Sequence, residues 1–455
     1  MRAIRIGSGA GYSGDRIEPA LELLERGAIQ YIVFECLAER TIALAQLRRA
    51  RNPDHGYDEL LAHRLRHALP LCAAKGVKLI TNMGAANPRA ALQEAARVAS
   101  SLGLHGLKLA SVLGDDIFPQ IARYQTAPLL EIGAPLGALG DAPVSANAYL
   151  GAQGIVTALR GGADVVITGR VADPALVLAP LLFEFGWDMT DYSLLGKGTL
   201  AGHLIECGAQ VTGGYFSDPG YKDVPDLANL GFPVVEVTER CDVTVTRLAG
   251  VGGYVTPATV KEQILYEIHD PSRYLTPDVT ADFSQTRVTV RAPNQVRVNG
   301  ASGTEPNGQY KTTIGYRDGF IVEGEMSYGG SGAYDRARLA AEVVRQRLVS
   351  ASDLALDLTH DLRAEVIGVN ALYGDTLAQR VSPTWRSPVE ARLRVAARTT
   401  TREAAARIGA EVEALYTNGP AGGGGARVAL SEALAVASIL IPARDVTVDV
   451  IYAGG

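Results

Sequence analysis

The chain has 455 residues, 47% hydrophobic and 20% charged, with a formal net charge of −6. That balance predicts two domains, or three, each with a sizeable core, and excludes wholesale disorder. No basic run marks a nucleic-acid binder, and no apolar run reaches the roughly 18 residues of a membrane span. The N-terminus, MRAIRIGSGAG, lacks the charged and apolar regions of a signal peptide. Cys36, Cys72, Cys207 and Cys241 are far apart with no C-x-x-C, which fits reduced thiols in a cytoplasmic protein. His63 and His67 share a helical face without an acidic or Cys neighbour and read as solvated rather than metal-binding.

Residues 3–7 predict a first strand, followed by GSGAGYSGDRIEP. Gly9, Gly11 and Gly14 fit G-x-G-x-x-G, and Glu35 falls 21 residues after Gly14, as in a dinucleotide fingerprint. Asp15 and Glu18 place negative charge where a pyrophosphate would sit, and Pro19 delays the helix. The turn therefore reads better as a Gly-rich strand end, with Asp15 and Arg16 as candidate substrate ligands. An NAD(P)-dependent oxidoreductase stays as an alternative.

The second strand closes in VFECLAERT. An acid that ends a buried strand sits at the ligand edge of an open α/β sheet, which makes Glu35 a catalytic candidate. Glu39 and Arg40 read as surface helix charges. Two helices follow over 41–76, then the strand VKLITN, ending in Asn82. Asn87-Pro88 is a helix cap followed by proline, and Asn82 and Asn87 are candidate substrate-binding residues. HGLKLASVLGDDIF gives another strand, with Lys108 reaching solvent and Asp115 and Asp116 capping the next helix. SANAYLGAQGIVTALRGG predicts a helix.

ADVVITGRVADPA then reads as a buried strand, a loop at Thr168-Gly169-Arg170, and a helix capped by Asp173 before Pro174. Thr168, Gly169 and Arg170 would face an anionic ligand, with the Arg170 fork gripping a carboxylate. In GHLIECGAQVTGGYF, a helix over 198–206 would put His203 and Glu206 on one face. Glu206 is a candidate acid/base. Cys207 has two readings, a nucleophile or a buried structural thiol.

From about residue 234 the segments are β-type and rich in Val and Thr. Helices are predicted over 333–350 and 401–416, the second opened by a Thr400/Glu403 capping box. A Gly-rich loop spans 418–427, whose backbone N–H groups at Gly422 and Gly423 could approach an anion. The expected fold is α/β: an N-terminal doubly wound, mostly parallel sheet (1–235), followed by a C-terminal α+β domain with a mixed sheet (236–455).

GAGYSGDRIEPA, VFECLAERTIALAQ, TNMGAANP, VITGRVADPAL, ECGAQVTGG and GPAGGGG, taken together, resemble the acyclic terpene utilisation protein A family over essentially the whole chain. Ala209 stands where the family's ECG-x-QVTGG motif has Pro. The family is named for a bacterial pathway degrading citronellol and geraniol through CoA thioesters, so the resemblance implies catabolism of branched acids or acyl-CoA. It implies no metal and no nucleotide cofactor. It also implies a small companion protein, hence a homo- or hetero-oligomer.

The function expected is a lyase or hydratase acting on a small carboxylate or acyl-CoA by general acid/base chemistry. The alternatives are a Cys207-dependent hydrolase or transferase and a non-catalytic subunit that completes a site with its companion.

Overall fold

The computed structural model describes residues 2–351, 362–381 and 388–453. They form two compact units, residues 1–315 with 436–455, and residues 316–435.

The first unit opens with β1 (Ala3–Ala10), helix Glu18–Arg26, β2 (Tyr31–Phe34), helices Glu39–Arg51 and Leu61–Lys75, β3 (Lys78–Thr81) and helix Pro88–Ser101. β4 (Leu109–Leu113), β5 (Pro143–Ala148), helix Gln153–Arg160, β6 (Val165–Thr168) and helices Ala175–Phe185 and Tyr192–His203 come after them. Next are β7 (Pro233–Thr238), β8 (Val243–Arg247), helix Pro257–Leu265, β9 (Tyr274–Leu275), β10 (Thr280–Asp282), β11 (Arg287–Ala292), β12 (Gln295–Asn299) and β13 (Ser302–Thr304). β14 (Gln309–Gly329) leads into the second unit, with helix Ala333–Ser350, β15 (Leu362–Ile367), helix Gly374–Val381, β16 (Glu390–Thr399) and helices Arg402–Glu413 and Leu415–Asn418. β17 (Gly424–Pro442) leads back to β18 (Asp449–Tyr452).

The main sheet has ten strands in the order β11-β12-β8-β7-β1-β2-β3-β6-β4-β18. Its centre, β1-β2-β3-β6-β4, is entirely parallel. Both of its faces are buried, as a parallel sheet requires. Tyr31 and Val33 of β2 join a core with helices Gln153–Arg160 and Ala175–Phe185. Ile32 and Phe34 join another with helices Leu61–Lys75 and Pro88–Ser101. Successive strand residues thus serve opposite layers, and each such side chain contributes roughly 1.5–3 kcal/mol on burial. The chain is α/β, with helices on both faces of a large mixed sheet.

The Val-rich strands after residue 234 do not begin a separate sheet. β7 pairs antiparallel with β1, β8 with β7, and β12 with β8. Their residues Val235, Val245 and Val298 extend the first core. SANAYL also departs from expectation. Pro143–Ala148 is a strand paired with β14, and the helix starts only at Gln153. That pairing is to residues far along the chain, so local sequence does not announce it.

In the second unit the strands run β15-β16-β14-β17. Val344 and Leu348 of one helix and Ile408 and Val412 of another pack with Val322, Leu393 and Val395 of that sheet. Helix Arg402–Glu413 is capped by Thr401, one residue later than expected, accepting from Ala404 N–H. Among the described residues no helix is long and apolar enough to cross a membrane.

Asp278 anchors the start of helix Gln153–Arg160, its two oxygens each 3.0 Å from Ala152 N–H. Burial pushes its carboxyl from 3.8 up to about 6, against the opposing pull of that N–H. Between these values the unfolded chain has lost the proton and the folded chain keeps it. The contribution is therefore full below pH 4 and is lost as pH rises through 6. Asp278→Asn should remove a decline of roughly 3 kcal/mol from urea unfolding curves recorded between pH 4 and 7. An unchanged pH dependence would refute this assignment.

Candidate active site

A cavity of about 780 Å³ is lined by the segments that follow β1, β2 and β6: Gly11–Asp15, Glu35–Glu39 and Arg170–Asp173. Ligand sites of open α/β sheets lie beyond the same strand ends. His203, Glu206 and Cys207, Tyr266, Tyr274, and the alternate residues Asn307, Gln309 and Lys311 are among the further lining.

Glu35 is buried. Its Oε1 accepts Leu37 N–H at 2.8 Å and Asn82 Nδ2 at 2.9 Å. Asn82 in turn accepts Cys36 N–H at 2.7 Å, so it fixes Glu35 from behind and does not itself line the cavity. Arg170 is 1% exposed. Its Nε and Nη2 donate to Val171 O at 2.9 and 2.7 Å, Nη1 donates to Leu37 O, and Nη2 also pairs with Asp173. The guanidinium lies 4.4 Å from the Tyr149 ring centroid. A buried guanidinium has to satisfy its donors within the protein. No forked pair is left for a ligand, so the bidentate carboxylate grip expected of Arg170 is not available. The helix cap expected of Asp173 also gives way. The helix opens at Ala175 without a side-chain cap, and the Asp173 carboxyl pairs with Arg170.

Burial, and then the neighbouring Asp173, push Glu35 well above the usual carboxylate range, against Arg170. Asp173 is pushed up to about 7 by burial, which Arg170 opposes and Glu206 and Glu39 reinforce. Glu39 goes the other way. Burial alone would raise it, but the Lys311 charge and the Tyr149 and Lys311 hydrogen bonds bring it down to about 2. One cavity therefore holds a carboxyl lowered by its cationic and hydrogen-bonding partners together with two raised by burial. Environments that push neighbouring acids apart in this way suit acid and base roles.

The helix expected over 198–206 ends at His203, yet His203 and Glu206 still meet, with Nδ1 and Oε1 2.6 Å apart. The Glu206 N–H bonds Gly202 O at 3.0 Å, which continues the turn. Burial disfavours a charged His203, but Glu206 outweighs it and the imidazole is raised overall. Cys207 also lines the cavity, and burial, then Glu206, push its thiol up. A nucleophile needs the thiolate, and this environment works against it.

Asp15 lines the cavity and accepts Gly11 N–H at 2.9 Å. Its carboxylate therefore holds the amide that a dinucleotide phosphate would need. Gly11 has its own reason to be glycine, since a Cβ there would lie 2.3 Å from the Cys207 carbonyl carbon. Arg16 turns away to Ala228 O at 2.9 Å and to Glu18. Asn87 caps its helix and donates to Pro53 O and His55 O. Thr168 is fully buried and donates to Gly169 O at 3.0 Å. A Cβ on Gly169 would meet the Asp115 carboxyl at 2.5 Å. Gly422 and Gly423 belong to the second unit, in the turn before β17.

The cavity thus gathers Asp15, Glu35, Arg170, Glu206 and Cys207, with Asn82 supporting Glu35. Sequence reasoning did not select Glu39, Tyr149, Asp173 or Lys311 as site residues. The i,i+3 spacing of Arg170 and Asp173 was a usable signal. Tyr149 and Lys311 carry no local signature. Among the described residues no group of three or more His, Cys, Asp or Glu is arranged to hold a metal ion.

The model of the family described as acyclic terpene utilisation family protein AtuA matches residues 4–452. The chain belongs to this family. The match takes in both compact units of the AtuA-family chain, with the whole lining of the cavity. No curated protein and no solved structure matched it.

Proposed function

We propose that this AtuA-family chain is a catabolic enzyme of lyase or hydratase type, acting on a small carboxylate or acyl thioester by general acid/base chemistry. Its family description points to the breakdown of acyclic terpenes. The observation that carries the chemistry is the pair Glu35 and Asp173, two raised carboxyls lining one cavity with the Arg170 guanidinium, which pairs with Asp173 and opposes the rise of both. In its ionised form one of them takes a proton from the carbon next to the substrate carbonyl. The other, protonated, gives a proton to the departing oxygen. In the hydration direction the roles reverse, so that it, ionised, takes a proton from the entering water and its neighbour returns one to the carbon. Catalytic groups with pKa values near the working pH suit that exchange.

The test is proton exchange, which needs no knowledge of the full reaction. The full chain is incubated in deuterium oxide with a panel of short and branched acyl-CoA thioesters and their free acids. Deuterium should enter the α carbon of at least one, by mass spectrometry, far faster than without protein. Absence of exchange across the panel removes the reading.

A further inference from the structure

Since Arg170 has no fork to offer, the charge of an acidic substrate has to be met elsewhere. Among the described residues, Arg170 and Lys311 are the only Arg or Lys in the cavity lining. Lys311 is the accessible one, with 44% of its side chain exposed against 1% for Arg170. It stands in a row: Asn307, Gln309 and Lys311 line the cavity, while Gly308, Tyr310 and Thr312 do not. Gln309 and Lys311 are two apart on β14 and so share a face, and the turn at Gly308, whose φ is +69°, brings Asn307 to the same cavity. The row is held in place by Tyr149 N–H bonding Lys311 O at 2.8 Å and by Asn307 Oδ1 accepting Gln309 N–H at 3.0 Å.

All three side chains are exposed. Among the described residues the amide nitrogens of Asn307 and Gln309 donate no hydrogen bond. Lys311 Nζ donates to Glu39 at 2.9 Å and lies 5.0 Å from the Tyr149 ring centroid. An ammonium has three donors, so Glu39 leaves it with capacity for a second acceptor. Leu37, Leu275 and Leu440 supply apolar lining to the same cavity.

We propose that Lys311, with the side-chain amides of Asn307 and Gln309, receives an oxyanion of the substrate, a carboxylate or a phosphoryl group, while an apolar chain lies against Leu37, Leu275 and Leu440. This rests on the acid/base reading only in placing the substrate in this cavity. Glu39 competes with the incoming anion for the ammonium, so removing its charge strengthens anion binding.

The experiment is calorimetric titration of the full chain with octanoate, octyl phosphate and octanol, which share the apolar chain and differ in the head group. At least one of the two anions should bind about tenfold or more tighter than octanol, as a charge-assisted contact requires. Preference for octanoate assigns the row to the acid's own carboxylate, and preference for octyl phosphate assigns it to a phosphoryl group. Lys311→Gln should abolish the preference, and Glu39→Gln should tighten anion binding several-fold.

Equal binding of all three, binding of none, or an undiminished preference in Lys311→Gln overturns the proposal. If Lys311→Gln does not fold, Glu39→Gln decides, and unchanged or weaker anion binding there also overturns it. None of these readings requires turnover. A chain that shows the anion preference but no deuterium exchange keeps the anion row and loses the acid/base chemistry.

Discussion

Arg170→Ala should cost the first unit about 3–5 kcal/mol, the range for leaving buried charges without their partner. Four side-chain hydrogen bonds go with the guanidinium. The carbonyls of Leu37 and Val171 lose their donors, and Asp173 and Glu35 lose the cation that favours their ionised forms. Tyr149 loses the planar group that lies 4.4 Å from its ring centroid. The two carboxyls can relieve part of the penalty by holding protons, so the deficit should shrink as pH falls below neutrality. Arg170→Lys should rescue little, because an ammonium cannot reach Val171, Leu37 and Asp173 as a planar fork does. Urea unfolding of the full chain at pH 5 and pH 8 measures both effects. A loss under about 1 kcal/mol at pH 8 would show that the guanidinium is not holding this site together.

Glu35→Gln should lower the proton-exchange rate by about 10²–10⁴-fold, the usual worth of a positioned acid or base. Gln keeps an oxygen where Oε1 accepts from Leu37 N–H and Asn82 Nδ2, so the local hydrogen bonds persist and the fold should too. Asp173→Asn is the less clean partner, because it also takes away the carboxylate paired with Arg170. It should show both a rate loss and a stability loss. Because the two carboxyls influence each other, wild-type exchange should follow an apparent titration of the pair rather than of one residue. Glu35→Gln should leave a single step, set by Asp173. Exchange at the wild-type rate in Glu35→Gln would move the proton transfer to another group, with the His203–Glu206 pair next in line. Comparison of far-UV spectra and unfolding midpoints separates loss of chemistry from loss of fold.

Much of the site was legible because strand-end residues advertise themselves. Glu35 closes an otherwise apolar strand, and Arg170 stands two residues past another. In a sheet buried on both faces, a polar residue in that position has only the strand-end edge to face. The His203–Glu206 contact was legible too, since i,i+3 spacing brings side chains together even where the helix gives way to a turn. Residue identity did not reveal how each charge would be used. Arg170 read as a ligand clamp because it follows a strand end and its planar fork suits a carboxylate, and its burial converts the same fork into an internal tie. Asp173 read as a cap because Asp before Pro commonly is one, and the nearby cation offers the stronger partner.

The sequence by itself determined the local elements and the layering. Short continuous apolar runs such as Tyr31–Phe34, and Asn87 before Pro88, act within a few residues, where side-chain size and backbone chemistry suffice. Tertiary structure alone decided that β7, β8, β12 and β11 lengthen the first sheet, and that Pro143–Ala148 becomes a strand against β14. It also decided that Tyr149 and Lys311 join Glu39. Each of these depends on partners tens to hundreds of residues away. Their energies come from pairing edges and neutralising charges that no short stretch of chain contains.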